Sequence, residues 1–201
     1  MTEARTTTGT PLPELPRARR AAALGWARAA LVLGIASSIA FAAIAVFATT
    51  TSGGGKFQHA ADYWYTACGV PIALAEIVLL IALWTLQHGR PGRVALTGMI
   101  LTVTALAVLT VQLTAAVVLG VEEQWGPTYV VATLVTFVGH GLFVAGSWRT
   151  GLLPRWLLGL WPVVWVIGSL AAQGATPLLL AALYAAMGVL LTRRAGRPSG
   201  R

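Results

Sequence analysis

Charged residues are scarce in this chain. Only 10% of its 201 residues are charged, against 57% hydrophobic. A soluble domain carries about a quarter charged residues, so an ordinary water-facing surface is excluded. Acids are the scarcer sign, six against fourteen Lys and Arg, for a net charge of +8. In a soluble protein that balance would point to nucleic acid. Here no groove-entering or base-stacking module accompanies it, so no nucleic-acid partner is expected. A single cysteine, Cys68, excludes an internal disulfide and any CxxC or Cys/His metal pattern. His59, His88 and His140 lie too far apart for HExxH-type ligation, and no phosphate-binding P-loop or GxSxG elbow occurs. Neither a metal nor a cofactor is expected.

Long apolar runs take the place of charge. Six of them cover Leu24–Ala48, Tyr63–Leu86, Val94–Leu119, Tyr129–Trp148, Trp156–Ala172 and Pro177–Leu191. Most approach the ~20 residues a helix needs to cross the hydrocarbon core. Lipid offers the backbone no hydrogen-bond partners, and barrel-like alternation is absent, so the runs are expected to be helices. Glycine and proline punctuate the linkers "TTTSGGGK", "HGRPGR", "EEQWGP", "RTGLLPR" and "QGATP". The expected fold is all-α: a polytopic six-transmembrane-helix bundle over 24–192. Flexible basic tails are expected at 1–23, with Pro11, Pro13 and Pro16, and at 193–201. The first run is longer than the 7–15-residue core of a signal peptide, so it reads as an uncleaved anchor.

The cations have a side. Arg5, Arg17, Arg19, Arg20 and Arg28 precede or open the first run, and Arg90 and Arg93 lie in the second linker. Arg149 and Arg155 lie in the fourth, and Arg193, Arg194, Arg197 and Arg201 follow the last run. All thirteen arginines thus fall on one side of an alternating threading, with Lys56, Asp62, Glu122 and Glu123 on the other. The positive-inside rule puts both termini in the cytoplasm. A multi-pass protein of the cell (cytoplasmic) membrane is expected, with the lipid bilayer as its partner and protein partners left open. Aromatic residues suit the headgroup level: Tyr63, Trp64 and Tyr65 outside, Trp84, Trp148 and Trp156 inside. Glu122 and Glu123, beside Trp125, read as a solvated loop rather than a cation site.

Polar groups buried in the runs are the candidate site. Glu76 lies about 13 residues from the outer end of the second run, ~20 Å deep at 1.5 Å per residue. A carboxylate there must face the bundle interior, pair or be protonated. Gly69 and Ala73 share its helix face and allow close helix contact, and Pro71 bends the helix nearby. His140 lies ~17 Å deep in the fourth run, so the two are expected to meet as an intramembrane acid–base pair. Tyr129, Thr133, Thr136, His140 and Ser147 form a polar stripe, with Gly139 and Gly141 leaving room around the histidine. Thr104 and Gln112 are expected to add a co-facial pair from the third run. Trp161 and Trp165, four apart, share one face of the fifth; packing is their expected role, and their electron-rich faces also suit cations. The candidate catalytic residues are therefore Glu76 and His140, and the candidate substrate-binding residues Thr136, Gln112, Trp161 and Trp165.

Two stretches, "GRPGRVALTGMIL" at 89–101 and "GLFVAGSWRTGLLPRW" at 141–156, resemble small, uncharacterised actinobacterial six-helix integral membrane proteins. In that group a short basic loop enters the third span and an R-x-G-x-L-P-R-W segment joins the fourth and fifth. The resemblance implies the six-helix fold and supplies no activity. A fainter similarity, in residue types only, is to integral-membrane terpene cyclases, whose buried carboxylates protonate an alkene or epoxide. Three functions stay open. The first is a non-enzymatic binding, accessory or immunity-type component whose polar seam packs helices. The second is an intramembrane cyclase or transferase acting on a hydrophobic prenyl or lipid substrate, with Glu76 as general acid. The third is a small proton-coupled transporter using Glu76 and His140; the absence of an inverted repeat between the two halves weighs against it.

Overall fold

The computed structural model describes residues 15–50, 55–87, 92–121, 126–170 and 172–195. Arg5, Pro11, Pro13, His88, Arg90, Glu122, Glu123, Trp125, Arg197 and Arg201, all named above, lie outside the described residues. Within them the fold is helical: α1 Arg17–Phe47, α2 Ala60–Gln87, α3 Gly92–Leu119, α4 Pro127–Ser147, α5 Arg155–Trp165 and α6 Pro177–Ala195. A π-helical turn, Val166–Leu170, continues α5. Helices α1 to α4 are long and apolar enough to cross a membrane, and α5 and α6 are shorter apolar helices.

Prolines set several helix starts. Pro16 and Pro154 cap α1 and α5, and Pro127 and Pro177 open α4 and α6. Their fixed φ suits the first turn, where the missing N–H has no intrahelical partner to lose. Helix α1 begins at Arg17 rather than at Leu24, so residues 17–23 of the expected tail are helical. The stretch "RARRAAA" consists of strong helix formers; hydropathy marks the apolar part of a helix, not where the helix begins.

Each helix packs on its chain neighbours, and α6 returns to α1, so the six close into a ring. The α1–α2 and α3–α4 connections meet at one end, where Phe57 N–H donates to the Gly120 carbonyl at 2.8 Å. Tyr65 Oη donates to the Ala172 carbonyl at 3.0 Å, bringing the α5–α6 connection to that same end. Gly120 makes its turn with φ +64°, in the left-handed region. The α3–α4 crossing is built on glycine. A Cβ on Gly98 would collide with the backbone of Phe143 and Gly139, and one on Gly146 would reach Ala95 N at 2.6 Å. Small residues of this kind let helix backbones approach within lipid.

The interior holds Leu80, Leu83, Leu106, Phe143, Leu180 and Met187, each at 0% exposure, among other apolar side chains. Val32, Ile100, Val111, Val118, Val130 and Leu134 are all more than half exposed, on three different helices. Large contiguous apolar patches are rare on soluble monomers, and here exposed apolar side chains are spread over the outside of the bundle. That surface matches a hydrocarbon surround and indicates membrane association.

Candidate functional site

Three alternate helices meet at the centre of the ring. Glu76 on α2, His140 on α4 and Tyr184 on α6 are buried at 0, 0 and 1% exposure. His140 Nε2 lies 2.5 Å from Glu76 Oε1. Tyr184 Oη donates to Glu76 Oε2 at 2.6 Å. Both carboxyl oxygens are therefore engaged.

The remaining ring nitrogen fixes the tautomer. His140 Nδ1 lies 3.0 Å from the Thr136 carbonyl. A carbonyl only accepts, so Nδ1 carries a proton and donates it. One proton is then left for the short contact between Nε2 and Oε1. It sits on the nitrogen as an ion pair or on the oxygen as a neutral pair. The net charge of the pair is zero in both cases, which is the condition a low-dielectric interior imposes.

The surroundings hold these side chains in place. Trp165 stacks on the His140 ring at 5.3 Å and 29°, and Trp161 meets it edge-on at 5.4 Å and 66°. Phe143 closes on Trp161 at 5.9 Å. Helix α5 delivers both tryptophans to one face by their spacing of four. Pro162 lies inside α5, and the turn after Trp165 widens to π, a feature frequent at functional sites. Ser169 Oγ donates back to the Trp165 carbonyl at 2.5 Å, at the start of that turn. On the far side, the Tyr184 ring lies against Gly34 of α1, where a Cβ would stand 2.5 Å from its Cε2.

Next to the triad, toward the end where the α1–α2 and α3–α4 connections meet, is a cavity of about 260 Å³. Ile72 and Ala73 line it, one turn from Glu76, as do Leu106, Leu109, Gln112 and Trp165. Neither Glu76 nor His140 is among its lining residues. Trp165 is shared: it lines the cavity and stacks on the histidine.

No family model matches this chain, and no curated protein or solved structure matches it either.

Glu76 and His140 are in contact, as their matched depths imply. Of the four candidate binding residues, Gln112 and Trp165 line the cavity, whereas Trp161 packs on His140 and Thr136 stands behind it. Thr136 Oγ1 is committed to the Ala132 carbonyl at 2.8 Å. Two expectations fail. Thr104 is exposed, and Thr102 is the buried threonine of α3. Eight residues at 100° per residue leave Thr104 and Gln112 about 80° apart, enough for Gln112 to be buried while Thr104 lies on the exposed side. Gly139 does not leave space at the histidine; a Cβ there would stand 2.8 Å from Thr102 N, so it serves the α3–α4 crossing. A Cβ on Gly141 would meet nothing within 4 Å. The outer aromatic residues also separate: Tyr63 and Trp64 are exposed, Tyr63 with its ring edge-on to Phe57 at 4.8 Å, while Tyr65 is half-buried against Phe41 at 4.5 Å.

Sequence reasoning missed Tyr184. Its signal was present, a hydroxyl-bearing aromatic midway through "PLLLAALYAAMGVLL". It also missed a second polar link between α2 and α4: Ser147 Oγ donates to Gln87 Oε1 at 3.0 Å, with both residues buried. Five buried polar atoms find no partner among the described residues: Ser38 Oγ, Gln112 Oε1, Thr133 Oγ1, Trp161 Nε1 and Trp165 Nε1. Such atoms are uncommon in folded proteins and each calls for an explanation.

Proposed function

We propose that this protein is a six-span component of the cell membrane with both termini in the cytoplasm. In this reading it acts without catalysis, as a binding, accessory or immunity-type component. The threading is supported by the clustering of alternate connections at one end, which leaves the arginine-bearing segments for the other. Helix α5 with its π turn holds 16 residues, or about 24 Å at 1.5 Å each. That is a few ångströms under the hydrocarbon thickness, a mismatch that local thinning absorbs.

The observation that carries the non-catalytic reading is the closure of the triad. Both oxygens of Glu76 are bonded, the residue is fully buried, and it does not line the cavity. A general acid needs a path to its substrate; a clasp between α2, α4 and α6 needs none. Glu76→Ala would strand His140 Nε2 and Tyr184 Oη inside the bundle. Breaking a buried pair from one side costs about 3–5 kcal/mol. Reversible unfolding in mixed micelles should show that loss, and a cycle with His140→Ala should give a coupling of about 1–3 kcal/mol. Unchanged or increased stability for Glu76→Ala would overturn the reading, because groups retained for chemistry are commonly held at a cost in stability.

One observation favours a second reading, in which Glu76 is the acid of an intramembrane cyclase or transferase. The Trp165 side chain borders both the cavity and His140. A rotamer change there would bring a cavity-bound prenyl or lipid substrate to the pair.

A further inference from the structure

The cavity wall is apolar except at a few points, and those points differ in what they have left to offer. Tyr65 Oη donates to Ala172 and Ser169 Oγ to Trp165; Thr66 and Tyr129 also bring hydroxyls to the wall, and neither is a buried orphan. Gln112 is 7% exposed, lines the cavity, and its Oε1 has no partner. An unpaired amide oxygen in a buried site retains a strong demand for a donor. None of the described residues lining the cavity is charged, so nothing there would balance an ionised ligand. The ligand class is therefore neutral, mostly hydrocarbon, with one group that donates to Gln112. A hydroxyl fits best, because it donates to Oε1 and can accept from the amide N–H₂. A cavity of ~150 Å³ holds one benzene; in proportion, about 260 Å³ takes about ten carbons.

We infer that this cavity binds a single-chain aliphatic alcohol of about ten carbons, hydroxyl on the Gln112 amide and chain between Ile72, Leu106 and Leu109. The inference rests on the binding reading above and names its ligand class. It places the bound chain against Trp165, so occupancy is readable by fluorescence.

The test uses the full chain in lipid nanodiscs, with three brominated quenchers at equal mole fraction: 10-bromodecan-1-ol, its methyl ether and 1-bromodecane. The expected result is saturable tryptophan quenching by the alcohol, about five- to tenfold tighter than by either other probe, as one added hydrogen bond allows. Trp165→Phe should remove the saturable part. Gln112→Leu should bring the alcohol down to the level of the bromoalkane. Ala116→Leu, which fills the cavity, should abolish saturation for all three. Equal, non-saturable quenching by alcohol and ether in the wild-type chain would overturn the inference without recourse to any variant. So would an alcohol preference that survives Gln112→Leu. Conversion of the alcohol to a product, read by mass spectrometry, would instead sink the non-catalytic reading and leave the binding site standing.

Discussion

Gly139 and Gly141 flank His140 and differ in what lies beyond them, so the same substitution should act oppositely at the two. An alanine Cβ at 139 would stand 2.8 Å from Thr102 N and 2.9 Å from Gly98 O, both backbone atoms of α3. Backbone cannot rotate away, so α3 and α4 must part by a sizeable fraction of an ångström. Overpacking of this kind costs about 1–3 kcal/mol. A gap of ~0.5–1 Å along the crossing also forfeits a quarter to a half of each contact's dispersion energy. At 141 the added methyl meets nothing within 4 Å, and replacing a helical glycine by alanine is worth up to about 1 kcal/mol. The propensity gain is common to both positions of α4, so the expected difference between Gly139→Ala and Gly141→Ala is the overpacking cost, about 1–3 kcal/mol. Unfolding of each variant by SDS in mixed micelles, followed by helical circular dichroism, measures it directly. Equal stability of the two would refute the close α3–α4 crossing, and with it the seating of His140 opposite Glu76.

Two further outcomes follow from the same contacts. The three atoms nearest a Cβ on Gly34 all belong to the Tyr184 ring. Gly34→Ala should therefore destabilise by about 1–3 kcal/mol, and Tyr184→Ala as a second change should erase most of that increment, both read by micelle unfolding. The Ser147–Gln87 hydrogen bond should give a coupling near 0.6 kcal/mol in a double-mutant cycle of Ser147→Ala with Gln87→Leu, the average for such links inside membranes.

Much of the architecture was legible in the chain. Apolar runs gave all six helices, because lipid-exposed helices must be apolar along most of their length whatever they pack against. The sequence located α2, α3 and α4 to within a few residues, and it missed the start of α1 because arginine and alanine extend a helix without adding hydropathy. Depth along the helix axis is also a one-dimensional quantity. It paired Glu76 with His140 correctly, since each residue adds a fixed rise.

What lies around the axis was decided only by the fold. Depth alone does not say which helix stands opposite, so Tyr184, 108 positions along the chain from Glu76, went unseen. Nor does it say which of two neighbouring glycines faces a backbone, or that Thr102 rather than Thr104 turns inward. Those facts depend on the rotation of each helix, which is set by contacts with residues remote in sequence. The amino-acid order alone determined that this chain is a bundle of apolar helices with an acid and a base at one level. The closing of α6 onto α1 decided that a tyrosine completes the pair, and that a cavity with one unpaired amide lies beside it. Hydropathy and helical rise are properties of single residues, whereas a triad and a cavity exist only where several helices meet.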